Sequence, residues 1–114
     1  MEAGHELDVL VAERLGLKWD SKYKYWNFPD GTYAYGEPFL PDYSTSIAAA
    51  WELVPRVDSY RFSITRQDGQ WFASFDAQEK DSQFYPRTWS MGWGKADTAP
   101  LAICLAFLKA TEPA

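Results

Sequence analysis

The sequence feature that most constrains the fold is a β-hairpin centred on Asp68 and Gly69. Apolar residues alternate with polar ones on both sides of this pair, at Tyr60, Phe62, Ile64, Trp71, Ala73 and Phe75. A period of two is typical of a strand with one buried face. An Asp-Gly pair between two such runs favours a two-residue turn, because both central positions need positive φ. The pattern therefore predicts two antiparallel strands joined at Gln67-Asp68-Gly69-Gln70.

Two segments in the first half of the chain have helical periodicity. The first carries apolar residues at Leu7, Leu10, Val11 and Leu15, with Glu6, Asp8, Glu13 and Arg14 on the other face. Gly16 is placed to end it. The second carries a stripe at Ile47, Ala50, Trp51 and Val54. Ser44 or Asp42 can cap this helix, and Pro55 is expected to stop it at Val54.

A third helix is predicted near the C-terminus. Thr98 can cap it, and Pro100 suits its first turn. Two apolar stripes follow, at Leu101, Cys104, Leu105, Leu108 and at Ile103, Phe107. A helix that is apolar nearly all round is expected to be deeply packed or to form an oligomer interface.

The rest of the chain adds shorter elements. Residues 18–43 are aromatic but broken by glycine and proline, which predicts a loop with one or two short strands. Residues 84–93 predict a third strand, with Pro86 placing it at an edge or interrupting it. At 114 residues, the chain fits one domain spanning 1–114. The expected fold class is α+β, an α-β-α sandwich with an antiparallel sheet of three or more strands.

Composition argues against several functions. A net charge of −5 disfavours duplex nucleic acid as a partner. One cysteine and one histidine cannot form a disulfide or a usual zinc site, so no metal or cofactor is expected. No stretch approaches the roughly 18 apolar residues of a membrane span, and the N-terminus lacks a signal-peptide pattern. We therefore expect a cytoplasmic protein that binds no membrane.

Three segments resemble the phage ABA sandwich domain family of small phage and prophage proteins. They are residues 2–13, which begin Glu2-Ala3-Gly4, residues 41–51, which begin Pro41-Asp42-Tyr43, and residues 96–104, which begin Ala96-Asp97-Thr98. Together they cover about a third of the chain. The second segment departs from the family pattern at Ser46, where an acidic residue is expected. The resemblance implies an α-β-α layered fold and a phage origin, and it carries no set of catalytic residues.

Two predicted helix starts are candidates for binding an anion. Tyr43, Ser44 and Thr45 offer hydroxyls and backbone N–H groups at one start, although such residues are also ordinary caps. Residues 92–98 predict a glycine-containing loop that runs into the other start, with Lys95 as a cation. It is not a phosphate-binding P-loop, because alanine follows Lys95. If the two helix starts face the same side of the protein, they predict a site for a phosphorylated small molecule. The alternative is that these residues serve only turn geometry and packing.

Other polar clusters favour structural roles. Residues 18–26 interleave cations with aromatic rings, which suits single-stranded nucleic acid or an exposed strand. The sequence favours the strand. Asp76, Glu79 and Asp81 can bind a cation or act as acid and base, but such loops are usually only solvated. No nucleophile and base pair stands out, so the chain is predicted not to be an enzyme.

The leading hypothesis is a phage protein that counters host immunity by sequestering a nucleotide-like signal without cleaving it, as a homo-oligomer. Its candidate ligand-binding residues are Tyr43, Ser44, Thr45, Trp51, Trp71, Arg87, Trp89, Lys95 and Thr98. The alternative is a protein-interaction module that inhibits a host defence protein or serves phage assembly. A convex patch of exposed aromatic anchors would favour this alternative, whereas a concave pocket that holds the rings together with Ser44, Lys95 and Thr98 would favour the ligand.

Overall fold

A computed structural model describes residues 2–22, 25–27, 33–35, 40–79 and 84–112. Its helices are α1 (His5–Arg14), α2 (Ile47–Trp51) and α3 (Ala99–Ala110), with a 3-10 turn at Val54–Arg56. Its strands are β1 (Lys18–Asp20), β2 (Tyr25–Asn27), β3 (Tyr33–Tyr35), β4 (Arg61–Gln67), β5 (Gln70–Gln78) and β6 (Thr88–Ala96). They form two antiparallel three-stranded sheets, in the orders β1-β2-β3 and β4-β5-β6. The predicted α+β class is confirmed.

The predicted hairpin forms strands β4 and β5 of the second sheet. Gln67 pairs with Gln70, and Asp68 and Gly69 have φ values of 53° and 77°. Two positive φ values in a two-residue loop are the pattern of a type I′ turn, whose twist matches that of the strands. Phe62 pairs with Phe75 and Ile64 with Ala73, so these side chains share one face of the sheet.

Helix α3 lies against that apolar face, above β5 and β6. Two glycines of β6 allow the close approach. A Cβ atom on Gly92 would lie 2.3 Å from the backbone nitrogen of Ala110, and one on Gly94 would lie 2.4 Å from the carbonyl oxygen of Ala102. Both distances are shorter than a side chain tolerates. The buried residues of α3 are Pro100, Ala102, Ile103, Cys104, Ala106 and Phe107, which confirms deep packing.

Strand β6 contains a bulge and begins later than the sequence pattern suggests. Phe75 pairs with Gly92 while Asp76 pairs with Ser90, so Met91 is the extra residue. The predicted strand at 84–93 is observed at 88–96. Pro86 precedes the strand because a proline cannot donate to the ladder. The interpretation of residues 92–98 as a loop is wrong, since 92–96 continue β6.

Helix α1 matches the prediction in length but not in its buried face. Its C-terminus is a Schellman motif: Gly16 has a φ of 95°, its N–H donates to Glu13, and the N–H of Leu17 donates to Ala12. Leu7 and Val11 are buried as predicted, whereas Leu10 is exposed. Asp8, expected on the solvent face, is buried.

Helix α2 is shorter than predicted and has a different cap. Ser46 occupies the N-cap, and its hydroxyl accepts a hydrogen bond from the N–H of Ala49 at 3.3 Å. The prediction that Ser44 or Asp42 caps it is therefore wrong. Pro55 lies inside the following 3-10 turn instead of ending α2 directly. The predicted apolar stripe is only partly core, because Ala50 is buried but Ile47 and Trp51 are exposed.

The first sheet accounts for part of the aromatic segment 18–43. Three short strands form where one or two were predicted. Trp19 and Trp26 pair across β1 and β2, with ring centroids 5.4 Å apart. Lys18 and Lys22 are exposed, so the described rings pack inward and the described lysines outward. Residues 23–24, 28–32 and 36–39 of this segment lie outside the described residues.

Candidate functional site

The nine predicted ligand-binding residues do not line one cavity. Tyr43 and Ser44 are buried, and Thr45 is exposed beside them. Trp51 packs edge-on against Phe62, and Trp71 lies under Arg66 at the hairpin end of the sheet. The others belong to the β6 region: Arg87 and Trp89 at its start, Lys95 near its end, and Thr98 before α3. Of the nine, only Lys95 lines the large groove described below.

Ser44 holds the N-terminal part of α1 against the turn that precedes α2. Its side chain is 0% exposed. Its hydroxyl donates to Asp8 Oδ1 at 2.7 Å and accepts from the N–H of Gly4 at 2.9 Å, while its own N–H donates to Asp8 at 2.8 Å. Each polar atom of Ser44 named here already has a protein partner. The predicted anion site at this turn is therefore corrected to a structural connection between α1 and α2.

The second predicted helix start is also rearranged. Thr98 occupies the N-cap of α3, as expected, but its side chain makes no capping hydrogen bond. Lys95 projects from the sheet face opposite α3, where its Nζ lies 5.4 Å from the ring centroid of Phe72. Strand alternation separates the side chains of Lys95 and Gly94 onto the two faces. The sheet therefore lies between the Lys95 ammonium and α3.

That opposite sheet face carries a polar network. Ser74 donates to Asp76 at 2.8 Å and lies 3.3 Å from the hydroxyl of Ser90. Arg61 forms an ion pair with Asp76 at 3.2 Å. The predicted acidic cluster is thus divided: Asp76 belongs to this network, Glu79 faces Arg87 at 4.0 Å, and Asp81 lies outside the described residues. No group of metal-ligating side chains occurs in the described ranges.

Among the residues that the structure describes, most of the exposed aromatic side chains lie in residues 84–93. We call Phe84, Tyr85, Trp89 and Trp93 the aromatic segment; their exposed fractions are 78%, 95%, 53% and 59%. Tyr85 also has a φ of 52°, a backbone conformation that bulky residues rarely adopt. Such strain persists where the surroundings impose it and is concentrated at functional sites. Of these four residues, only Trp89 was predicted from the sequence as a site residue.

A signal for Trp93 was present in the sequence. Small residues at Gly92, Gly94 and Ala96 alternate with Trp93 and Lys95. In a strand this pattern places all the small residues on one face and the large ones on the other. It indicates a close helix on one side and exposed side chains on the opposite side, as observed.

An open groove of about 870 Å³ runs beside β6. Six consecutive residues, 90–95, form one side of it, and the C-terminal half of α3 forms the other. Arg14 from α1 also lines the groove, and its Nη1 donates hydrogen bonds to the carbonyl of Leu108 at 2.9 Å and to the Thr111 hydroxyl at 3.0 Å. The groove therefore joins residues of α1, β6 and α3.

Alkaline pH is expected to destabilise this core. Burial raises the pKa of Cys104 from 9.0 to about 12, with a smaller contribution from Asp8. Burial also raises the pKa of Tyr43 from 10.0 to about 12, with a smaller contribution from Glu52. Both groups stay neutral in the folded state while the unfolded chain ionises at ordinary values. The free energy of unfolding is therefore retained below about pH 9 and falls as the pH rises towards 12.

Urea unfolding at pH 8, 10 and 11 measures this loss. Cys104→Ala removes one of the two groups, so its free energy of unfolding should fall less between pH 8 and 11 than that of the wild type. An equal fall in the free energy of unfolding of both proteins would contradict a raised pKa of the buried Cys104 thiol.

No helix within the described ranges is long and apolar enough to cross a membrane. The sequence profile of the phage ABA sandwich domain matches residues 9–108. No curated protein matches the chain, and no solved structure does. The profile match covers both sheets in full and most of α1 and α3, well over half of the chain. The chain therefore belongs to the phage ABA sandwich domain family.

Proposed function

We propose that this phage protein acts by binding another protein through its aromatic segment. The observation that supports this is the exposure of Tyr85, Trp89 and Trp93 within nine residues of sequence. Tyrosine, tryptophan and arginine are the residues that most often dominate binding energy at protein interfaces. Arg87, also exposed, lies between Tyr85 and Trp89. The partner is a host defence protein, which this protein inhibits, or a component of phage assembly.

Geometry favours this function over nucleotide sequestration. A nucleotide site was expected to combine Ser44, Lys95 and Thr98 in one concavity. Ser44 is fully buried and hydrogen-bonded to Asp8 and Gly4, and the Lys95 side chain lies across the sheet from α3. Sequestration, absence of catalysis and homo-oligomerisation remain predictions from the sequence.

Affinity capture with matched variants tests the proposal. The test protein is a Tyr85→Ala/Trp89→Ala double variant, and the control is Tyr60→Ala, which removes another exposed ring. Lysates of host cells, uninfected and phage-infected, separate the two kinds of partner. We expect one protein to be retained by the wild type and the control but reduced at least about tenfold by the double variant, since each hot-spot residue is worth about 2 kcal/mol or more.

Two results would contradict the proposal. One is the absence of any protein whose retention depends on Tyr85 and Trp89, with both variants folded by circular dichroism. The other is a rise in melting temperature with a cyclic dinucleotide, cyclic trinucleotide or ADP-ribose derivative that Lys95→Ala abolishes, because ligand bound to the native state stabilises it. Recovery of that ligand intact would then support sequestration.

A further inference from the structure

The groove beside β6 follows the edge of a sheet. A site on a sheet face is lined by every second residue of a strand, because successive side chains point to opposite faces. This groove is lined by six consecutive residues, 90–95. Only the edge of a strand presents every residue in succession.

That edge has backbone hydrogen-bonding capacity. Among the described strands, β6 pairs with β5 alone and is the outer strand of its sheet. The outer edge of such a strand presents N–H and C=O groups that can pair with another extended chain. Six residues in extended conformation span roughly 20 Å, which sets the length of segment that this edge can accommodate.

Apolar side chains flank the edge on both sides. Trp93 projects from the sheet face opposite α3, as its pairing with Ser74 shows. Half-buried Leu105 and Leu108 line the groove from α3, on the other side. A partner docked on one sheet face can contact only one of these walls, whereas a strand added in the plane of the sheet contacts both.

The charged groups of the groove determine which segment fits. Three cations, Arg14, Lys95 and Lys109, line it against one carboxylate, Glu112. Lys109 and Glu112 lie 4.0 Å apart in an exposed pair, an arrangement that contributes little energy. This surplus of positive charge stands out on a chain of net charge −5. A second copy would bring two positively charged grooves together, whereas an acidic segment complements the charge.

We infer that β6 binds an extended acidic segment of a protein partner as a fourth strand of the β4-β5-β6 sheet. The segment pairs its backbone with residues 90–95, places alternate apolar side chains against Trp93 or Leu105, and directs carboxylates to Arg14, Lys95 and Lys109. This inference rests on the proposed function, since it specifies the chemistry of the partner and the manner of its binding.

Two synthetic octapeptides test the inference by NMR on the full-length protein. One alternates glutamate with valine, and the matched control alternates lysine with valine. We expect the acidic peptide, and not the basic one, to shift the amide resonances of residues 90–95. Its binding should also slow hydrogen exchange at least about tenfold at alternate amides of this segment, because strand addition protects only outward-facing N–H groups.

Substitutions of charged residues test whether the peptide binds in the groove beside β6. Lys109→Glu reverses a charge in the groove and is expected to lower the affinity for the acidic peptide at least about tenfold. Lys18→Glu makes the same change on an exposed residue of the other sheet and is expected to alter affinity less than about twofold. Trp93→Ala is expected to weaken binding as strongly as Lys109→Glu, with the folded state checked by circular dichroism.

Three outcomes would overturn the inference: no shift of residues 90–95 with the acidic peptide, equal binding of the basic peptide, or protection without peptide that increases with protein concentration. The last would assign the edge to a second copy. Failure of the proposed function has a different signature, because capture then yields no partner that depends on Tyr85 and Trp89. If capture yields a partner that depends on Tyr85 and Trp89 while the acidic peptide leaves β6 unchanged, only the strand inference fails.

Discussion

Gly94→Ala is expected to lower the free energy of unfolding by about 3 kcal/mol or more. The new Cβ would lie 2.4 Å from the carbonyl oxygen of Ala102 and 2.7 Å from the backbone nitrogen of Ala106. Backbone atoms of a helix cannot rotate away as a flexible side chain can, so α3 must move off the sheet. Inserting even one methyl group into a tightly packed interior typically costs 1–3 kcal/mol, and more when backbone must shift.

Urea or thermal unfolding of the purified variant measures this loss. Gly92→Ala is expected to behave similarly, because its Cβ would meet the backbone nitrogen of Ala110 at 2.3 Å. Thr88→Ala, on the exposed start of the same strand, is the control and should cost less than about 1 kcal/mol. If Gly94→Ala were as stable as Thr88→Ala, α3 would not lie as close to β6 as the structure places it.

Asp8→Ala is expected to lower the free energy of unfolding by about 3 kcal/mol. The carboxyl group accepts both the N–H and the hydroxyl of Ser44, at 2.8 and 2.7 Å. Removing it leaves the buried N–H of Ser44 without its acceptor and leaves the hydroxyl only the carbonyl oxygen of Gly4, at 3.3 Å. A buried donor without a partner costs about 1–3 kcal/mol, and the cavity left by the carboxyl group adds to this cost. Ser44→Ala removes the hydroxyl alone and should cost about 2 kcal/mol, because Gly4 loses the acceptor of its N–H and Asp8 loses one donor.

Ser46→Ala shows how much of the stability loss an ordinary helix cap accounts for. Ser46 is the N-cap of α2, so its loss should cost only about 1 kcal/mol. Chemical unfolding of the three variants should therefore rank Asp8→Ala as least stable, then Ser44→Ala, then Ser46→Ala. A Ser44→Ala cost no larger than that of Ser46→Ala would mean that the Asp8 network contributes no more than a cap.

Local patterns were reliable where one short segment contains the whole signal. The Asp68-Gly69 turn needs only its own positive φ values and the alternation beside it. Gly16 ends α1 for the same local reason. Asp8 and Ser44 were misassigned because their interaction joins residues 36 positions apart, and no local pattern distinguishes a buried Asp from a solvated one. A hydroxyl before a helix looks the same whether it caps that helix or binds another element.

The candidate site likewise combines residues that the sequence indicated with an arrangement that only the tertiary structure shows. Trp89 and Lys95 were selected from the sequence as an aromatic ring and a cation, but as parts of a pocket with Ser44. The groove depends instead on the consecutive elements β6 and α3 and on Arg14, which lies 94 positions from Leu108 in sequence. Arg14 reaches it because α1 ends beside Leu108 and Thr111. No local pattern brings those residues together.

The sequence by itself determined the family, the α+β class, the hairpin and the apolar character of α3. These follow from short-range periodicity and turn chemistry, which act within a few residues. Tertiary structure alone decided that Gly92 and Gly94 serve close helix packing, that Ser44 is buried and that the outer edge of β6 forms a groove. The physical reason is that burial, close approach and strand order depend on which distant segments pack together.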